Sequence, residues 1–67
     1  MDKISTRIVS LRKENKMSQQ KLAQQIGVTQ KAIDFWEKGI NEPKASYIIL
    51  LAQYFGVSTD YILGLED

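Results

Sequence analysis

The sequence predicts an all-α fold, a compact bundle of about five helices, and three observations carry that reading. Apolar residues recur at helical spacing, as in Ile4, Ile8 and Leu11 at i, i+4 and i+7. One junction chemistry occurs twice, in Gly27-Val28-Thr29 and Gly56-Val57-Ser58: a glycine that stops a helix, an apolar residue, and a hydroxyl that caps the next. No run alternates apolar and polar residues as a half-buried strand does, and no low-complexity linker divides the chain. Residues 1–67 therefore read as one small domain.

Asp2 is placed to cap a first helix that reaches about Asn15. Ile4, Ile8 and Leu11 form its inner stripe, while Arg7, Arg12, Lys13 and Glu14 occupy other faces and Asn15-Lys16 connects onward. The stretch 18–39 organises the rest of the chain. Ser18 is a good N-cap, and Met17 and Leu22 have the spacing of a hydrophobic staple. Leu22, Ala23 and Ile26 mark one apolar face. Gly27 ends this helix, since glycine takes the left-handed conformation without a Cβ penalty. Thr29 caps a third helix, with Val28 and Ile33 as its staple, and Gly39 ends it.

Ile40-Asn41-Glu42-Pro43 is a short loop in which Pro43 restricts Glu42. A fourth helix is predicted from about Lys44 to Phe55, with Ile48, Leu51, Ala52 and Phe55 inward. Ile49 and Leu50 are expected to widen its buried face. A last short helix runs from Ser58 to Leu63 and stops at Gly64, with Val57 and Ile62 at staple spacing.

Composition excludes several function classes. Without cysteine there is no disulfide or thiolate–metal site, and without histidine the commonest general base and metal ligand are missing. No metal and no cofactor are expected. An enzyme would need a carboxylate constellation or a Ser–Lys pair, and no spacing suggests one. No apolar run reaches transmembrane length and no signal-peptide pattern opens the chain, so a soluble cytoplasmic domain without a membrane partner is expected. No small-molecule ligand or sensor domain is evident.

The net charge of +1 is unevenly distributed. All nine Lys and Arg residues fall within residues 1–44, where five acids leave a net +4, whereas residues 45–67 carry a net −3. Such a bipolar domain could turn its basic part toward phosphates. Chance clustering on solvated helix faces gives the same pattern.

Ala23, Gly27 and Ile33 suit two helices that cross steeply: a small residue for close approach, a glycine in the turn and an apolar lock opposite. The helix-turn-helix motif has this geometry, and its second helix can enter the DNA major groove. A generic αα-corner in a small bundle also fits the spacing.

The longer pattern is more specific. Ser18-Gln19-x-x-Leu22-Ala23-x-x-Ile26-Gly27-Val28-Thr29-x-x-x-Ile33-x-x-Trp36-Glu37-x-Gly39, followed by Pro43 and Gly56-Val57-Ser58-x-Asp60-Tyr61-Ile62-Leu63-Gly64, resembles the Xre-type, phage repressor and Cro-like helix-turn-helix family. The resemblance covers nearly the whole chain. It implies a five-helix, lambda-repressor-like DNA-binding domain with the helix-turn-helix as helices two and three. It also implies a bacterial or phage transcriptional regulator, usually a repressor, that binds a palindromic operator in double-stranded DNA as a homodimer.

With Ile33 and Trp36 inward, the third helix should present Gln30, Lys31, Asp34, Phe35 and Lys38. By resemblance, Gln30, Lys31 and Phe35 match the family's base-reading positions. Glutamine can bond adenine N6 and N7, and lysine can donate to guanine O6 and N7. Phe35 and Ala32 could meet a thymine methyl, and Asp34 could accept from cytosine N4. Phe35 could instead serve a protein partner, and Asp34 could pair with Lys38 at i+4. Phosphate anchors are expected in Gln19, at the start of the second helix, and in Gln24, Lys38, Asn41 and Lys44. Ile40 and Glu42 stand in a loop that is often basic in relatives.

Arg12 and Glu37 match a family pair that joins the first helix to the end of the recognition helix; independently exposed charges are the alternative. Tyr61, Ile62 and Leu65 are candidate dimer-interface residues, with completion of the monomer core the other role open to Ile62. The rival function is an antitoxin-like or adaptor module that binds protein and touches DNA weakly. Salt-sensitive duplex binding separates the two.

Overall fold

The computed structural model describes residues 2–67. They form five helices: α1 (Lys3–Glu14), α2 (Gln19–Ile26), α3 (Gln30–Lys38), α4 (Ala45–Phe55) and α5 (Thr59–Leu63). There are no strands among the described residues, and no helix there is long and apolar enough to cross a membrane.

Local chemistry sets the boundaries. Asp2 accepts from the Ser5 backbone N–H at 2.8 Å, and Ser18, Thr29 and Ser58 accept from the N–H three residues on in α2, α3 and α5. Each such cap satisfies one of the orphan donors of a first turn. At the other end of α2, Gly27 has φ +84°, and the Val28 N–H reaches back to the Ala23 carbonyl at 3.0 Å. This is a Schellman closure, which satisfies a terminal carbonyl and turns the chain sharply into α3. The helix α4 differs. Lys44 occupies its N-cap position and supplies no side-chain cap.

The core is built from every helix. Ile8 and Leu11 of α1 meet Leu22, Ala23 and Ile26 of α2, Ile33 and Trp36 of α3, Ile48, Leu51 and Ala52 of α4, and Ile62 of α5. Met17, Val28 and Val57, the three staple residues, pack partly buried against this cluster. The most extensive helix pairing is α2 with α3, and α1 lies across both α3 and α5.

Two expectations are corrected by these packing directions. Ile49 and Leu50 do not widen the buried face of α4: they are 48% and 41% exposed, because Ile48, Leu51 and Ala52 already turn its inner stripe to the core. Ile62 is 0% exposed, so it completes the monomer core and leaves the candidate dimer surface. Its spacing from Val57 places it on the inward face of α5, where it is one of the largest fully buried side chains.

Arg7 ties α1 to α5 and to the residues that follow it. Its guanidinium lies 4.0 Å from the Tyr61 ring centroid and donates to the Tyr61 and Glu66 carbonyls at 3.1 and 3.2 Å. Stacking plus two hydrogen bonds suits the planar arginine head. Nothing in the sequence pattern distinguished Arg7 from a solvated charge.

Candidate nucleic-acid interface

The turn at Gly27 sets α3 across α2, and Ile33 and Trp36 anchor it to the core. Trp36 packs on Tyr47 of α4, ring centroids 5.6 Å apart, fixing the helix from behind. Helical periodicity then turns Gln30, Lys31 and Lys38 to solvent, with Asp34 and Phe35 half-buried between them. Ala32 is half-buried against the core and offers less surface than its neighbours.

The orientation of α3 is fixed by a largely buried ion pair, in which Glu37 is buried and Arg12 half-buried. Arg12 Nε donates to Glu37 Oε2 at 2.6 Å and Nη2 to Oε1 at 3.0 Å, a two-pronged contact between α1 and the last turn of α3. Arg12 Nη1 also donates to the Met17 carbonyl at 2.9 Å, tying in the chain just before α2. Glu37 is 6% exposed, so the two residues are partners and not independent surface charges. The hydrogen bond to Glu37 raises the Arg12 guanidinium above its ordinary value, outweighing the opposite effect of burial.

Gln19 extends this pair to the surface. Its amide nitrogen donates to Glu37 Oε1 at 3.0 Å and to Asp34 Oδ1 at 3.2 Å. Asp34 Oδ2 in turn meets Lys38 Nζ at 2.9 Å. Five residues from α1, α2 and α3 thus form one chain: Arg12, Glu37, Gln19, Asp34, Lys38. The Lys38 ammonium, then the Gln19 amide, hold the Asp34 carboxyl below its ordinary value. An i+4 pairing of Asp34 with Lys38 was readable from spacing; the bridge through Gln19 was not, because it depends on the helix crossing.

Among the reading candidates, Lys31 Nζ sits 5.5 Å from the Phe35 ring centroid, one helical turn away. Gln24, Asn41 and Lys44 are exposed and lie outside the network. Ile40, beside Asn41, is 60% exposed, and Pro43 is buried and fixes the loop from below. Tyr61 is half-buried under Arg7, and Leu65 is 73% exposed.

Comparison with known proteins gives a consistent picture. The family model described as Helix-turn-helix matches residues 8–62. The uncharacterized HTH-type transcriptional regulator YobD of Bacillus subtilis is 36% identical over 61 residues, which cover 91% of this chain and 54% of that protein. The uncharacterized HTH-type transcriptional regulator YqaE of the same organism is 34% identical over 63 residues, covering 94% and 54%. The chain thus spans about half the length of the curated relatives it matches. Among solved structures, the P22 c2 repressor in complex with a synthetic operator superposes with a TM-score of 0.87 at 32% identity, covering 94% of this chain and 96% of that one. The solution structure of the DNA-binding domain of the same repressor gives 0.83 at 33% identity, covering 90% and 79%.

Proposed function

The chain belongs to the helix-turn-helix family, and from that premise we propose that it is a sequence-specific regulator of transcription, a repressor, that inserts α3 into the major groove of double-stranded DNA. The observation that carries the proposal is the posture of α3. One face is locked to the body by Ile33, Trp36 and Glu37, and the opposite face offers Gln30, Lys31 and Phe35 to a ligand. Gln30 and Lys31 supply hydrogen bonds to purine edges, while Phe35 and the edge of Ala32 supply apolar contact to a thymine methyl. The operator complex of the similar P22 c2 repressor supports the same use here.

Phosphate contacts fall to residues around α3: Gln24, Asn41, Lys44, Lys38 and the start of α2 at Gln19. Lys44 has a specific argument in its favour. A cation at the N-cap of α4 neither satisfies a backbone donor nor suits the positive end of the helix. Its ammonium and that helix end are instead both matched to an anion.

A palindromic operator and a homodimer complete the reading. The domain measures 27 × 24 × 21 Å, less than one turn of DNA at about 34 Å, so one copy covers one half-site. Tyr61 and Leu65, with the apolar rim of Ile49 and Leu63, are the surface assigned to the second copy; Ile49 and Leu63 line a groove of about 220 Å³ between α4 and α5. The site of action is the bacterial cytoplasm.

Selection of bound duplexes from a random pool, followed by titration of the winner and a scrambled control across salt, tests the proposal. A palindromic winner with steep salt dependence is expected. In the winner's background, Gln30→Ala and Lys31→Ala each weaken binding by about 1–3 kcal/mol and relax preference at one position. Absence of enrichment, with equal weak binding to all duplexes, would overturn the reading and favour the protein-binding alternative. Sedimentation with and without DNA tests the dimer, which a strict monomer under both conditions excludes.

A further inference from the structure

Asp34 places a carboxylate in the middle of a surface otherwise suited to anions. Its Oδ1 accepts from Gln19 Nε2 at 3.2 Å and its Oδ2 binds Lys38 Nζ at 2.9 Å. Gln19 and Lys38 are two of the side chains assigned to phosphate contact. A carboxylate and a phosphate present the same chemistry to them: anionic oxygens that accept from an amide or an ammonium. The Lys38 side chain is 62% exposed and that of Asp34 30%, so the ion pair faces solvent and can exchange partners. Gln19 is less free, because its amide also serves buried Glu37.

We infer that Asp34 is an intramolecular competitor of the DNA backbone, occupying the donors of Gln19 and Lys38 and so lowering the affinity of this surface for every duplex. The inference rests on the DNA-binding reading of α3. When a phosphate approaches, Lys38 must leave Asp34 or be shared with it, and the carboxylate then remains as a like charge beside the backbone. Affinity is thereby held down without altering any base-reading side chain. Specific recognition through Gln30 and Lys31 then supplies a larger share of total binding.

The test is Asp34→Asn in the whole chain, an isosteric change that keeps an acceptor for Gln19 and removes the charge. Binding is measured at low salt, where screening is weakest, on the selected duplex and on a scrambled one. The variant should bind both more tightly by a like factor, roughly threefold for each phosphate about 7 Å away at the dielectric constant of water. Its log–log salt slope should steepen by about one unit if Lys38 gains a full phosphate contact. Lys38→Met supplies the second arm: its loss of affinity should be larger in the Asp34→Asn background than in the wild type. Thermal melts confirm that both variants fold.

Weaker binding of Asp34→Asn to the selected duplex alone would overturn the inference and make Asp34 a reader of cytosine. Unchanged affinity on both duplexes would overturn it as well, as would equal Lys38→Met losses in the two backgrounds. Failure of the wild type to show salt-dependent binding to any duplex removes the DNA-binding reading itself, a result distinct from each of these.

Discussion

Replacing Glu37 with alanine should remove a large share of this domain's stability, although it deletes only one carboxylate. Glu37 accepts from Arg12 Nε at 2.6 Å, from Arg12 Nη2 at 3.0 Å and from Gln19 Nε2 at 3.0 Å. The Arg12 side chain is 14% exposed, and after the substitution the Met17 carbonyl is its one remaining acceptor among the described residues. Removing one member of a buried pair typically costs about 3–5 kcal/mol, because the other is left charged and unpaired. A domain of this length holds about 3–10 kcal/mol in all. Arg12→Met leaves Glu37 in the converse position and should cost a similar amount. The double variant strands neither charge, so its loss should fall short of the sum by about 2–3 kcal/mol. Urea unfolding of the wild type, both single variants and the double variant measures this directly, from midpoints at constant slope. Losses that add to within about 0.5 kcal/mol would refute the coupling and reduce Arg12 and Glu37 to neighbours.

Other outcomes follow from single contacts. Lys44→Ser supplies the cap that α4 lacks and should add about 1 kcal/mol, raising Tm by about 4–8 °C; it should also make the salt dependence of DNA binding shallower by about one unit. A stabilised variant with unaltered binding would deny Lys44 its phosphate. Gly64→Ala should be more damaging than Gly27→Ala, measured by urea midpoints. Both residues have positive φ, +80° and +84°, but a Cβ at Gly64 would stand 2.6 Å from Lys3 Cβ, whereas one at Gly27 meets nothing within 4 Å. The excess should be about 1–3 kcal/mol from overpacking, and equal losses would refute it. Acid should weaken the fold through Asp2 and Asp34, whose carboxyls are both held below the ordinary 3.8, by Ser5 and by Lys38 with Gln19 respectively. The stability these carboxylates contribute is present above that value and is lost as pH falls through their lower folded values. Melts of Asp34→Asn should therefore show a flatter acid limb than wild type below about pH 4, and identical limbs would remove Asp34 from the linkage.

Much of the fold was legible because helix ends carry strong local chemistry. Ser18, Thr29 and Ser58 cap as their spacing requires, and Gly27, Gly39, Gly56 and Gly64 all adopt positive φ. These signals need only a few neighbouring residues. The run Ile48-Ile49-Leu50-Leu51-Ala52 was less legible, since five consecutive apolar residues do not reveal which of them face inward. The exposure of Ile49 and Leu50 follows from the direction of α4 against α5 and α2, which is a tertiary fact. In the candidate interface, the outward set on α3 followed from Ile33 and Trp36, and the Arg12–Glu37 pair from family resemblance. The Gln19 bridge and the Arg7 clamp join residues 15 to 59 positions apart, beyond any local pattern.

Two arginines on α1 reach in different directions, Arg12 to the last turn of α3 and Arg7 to α5 and the turn after it. Loosening α3 from the body therefore means disturbing α1, and disturbing α1 releases α5 as well. Partial opening is suppressed, and the slowest amide hydrogens of α3 should exchange only when the whole domain unfolds. Such a helix meets its ligand already ordered. The backbone of α3 has little conformational entropy left to lose on association, so ordering the helix adds little to the cost of binding.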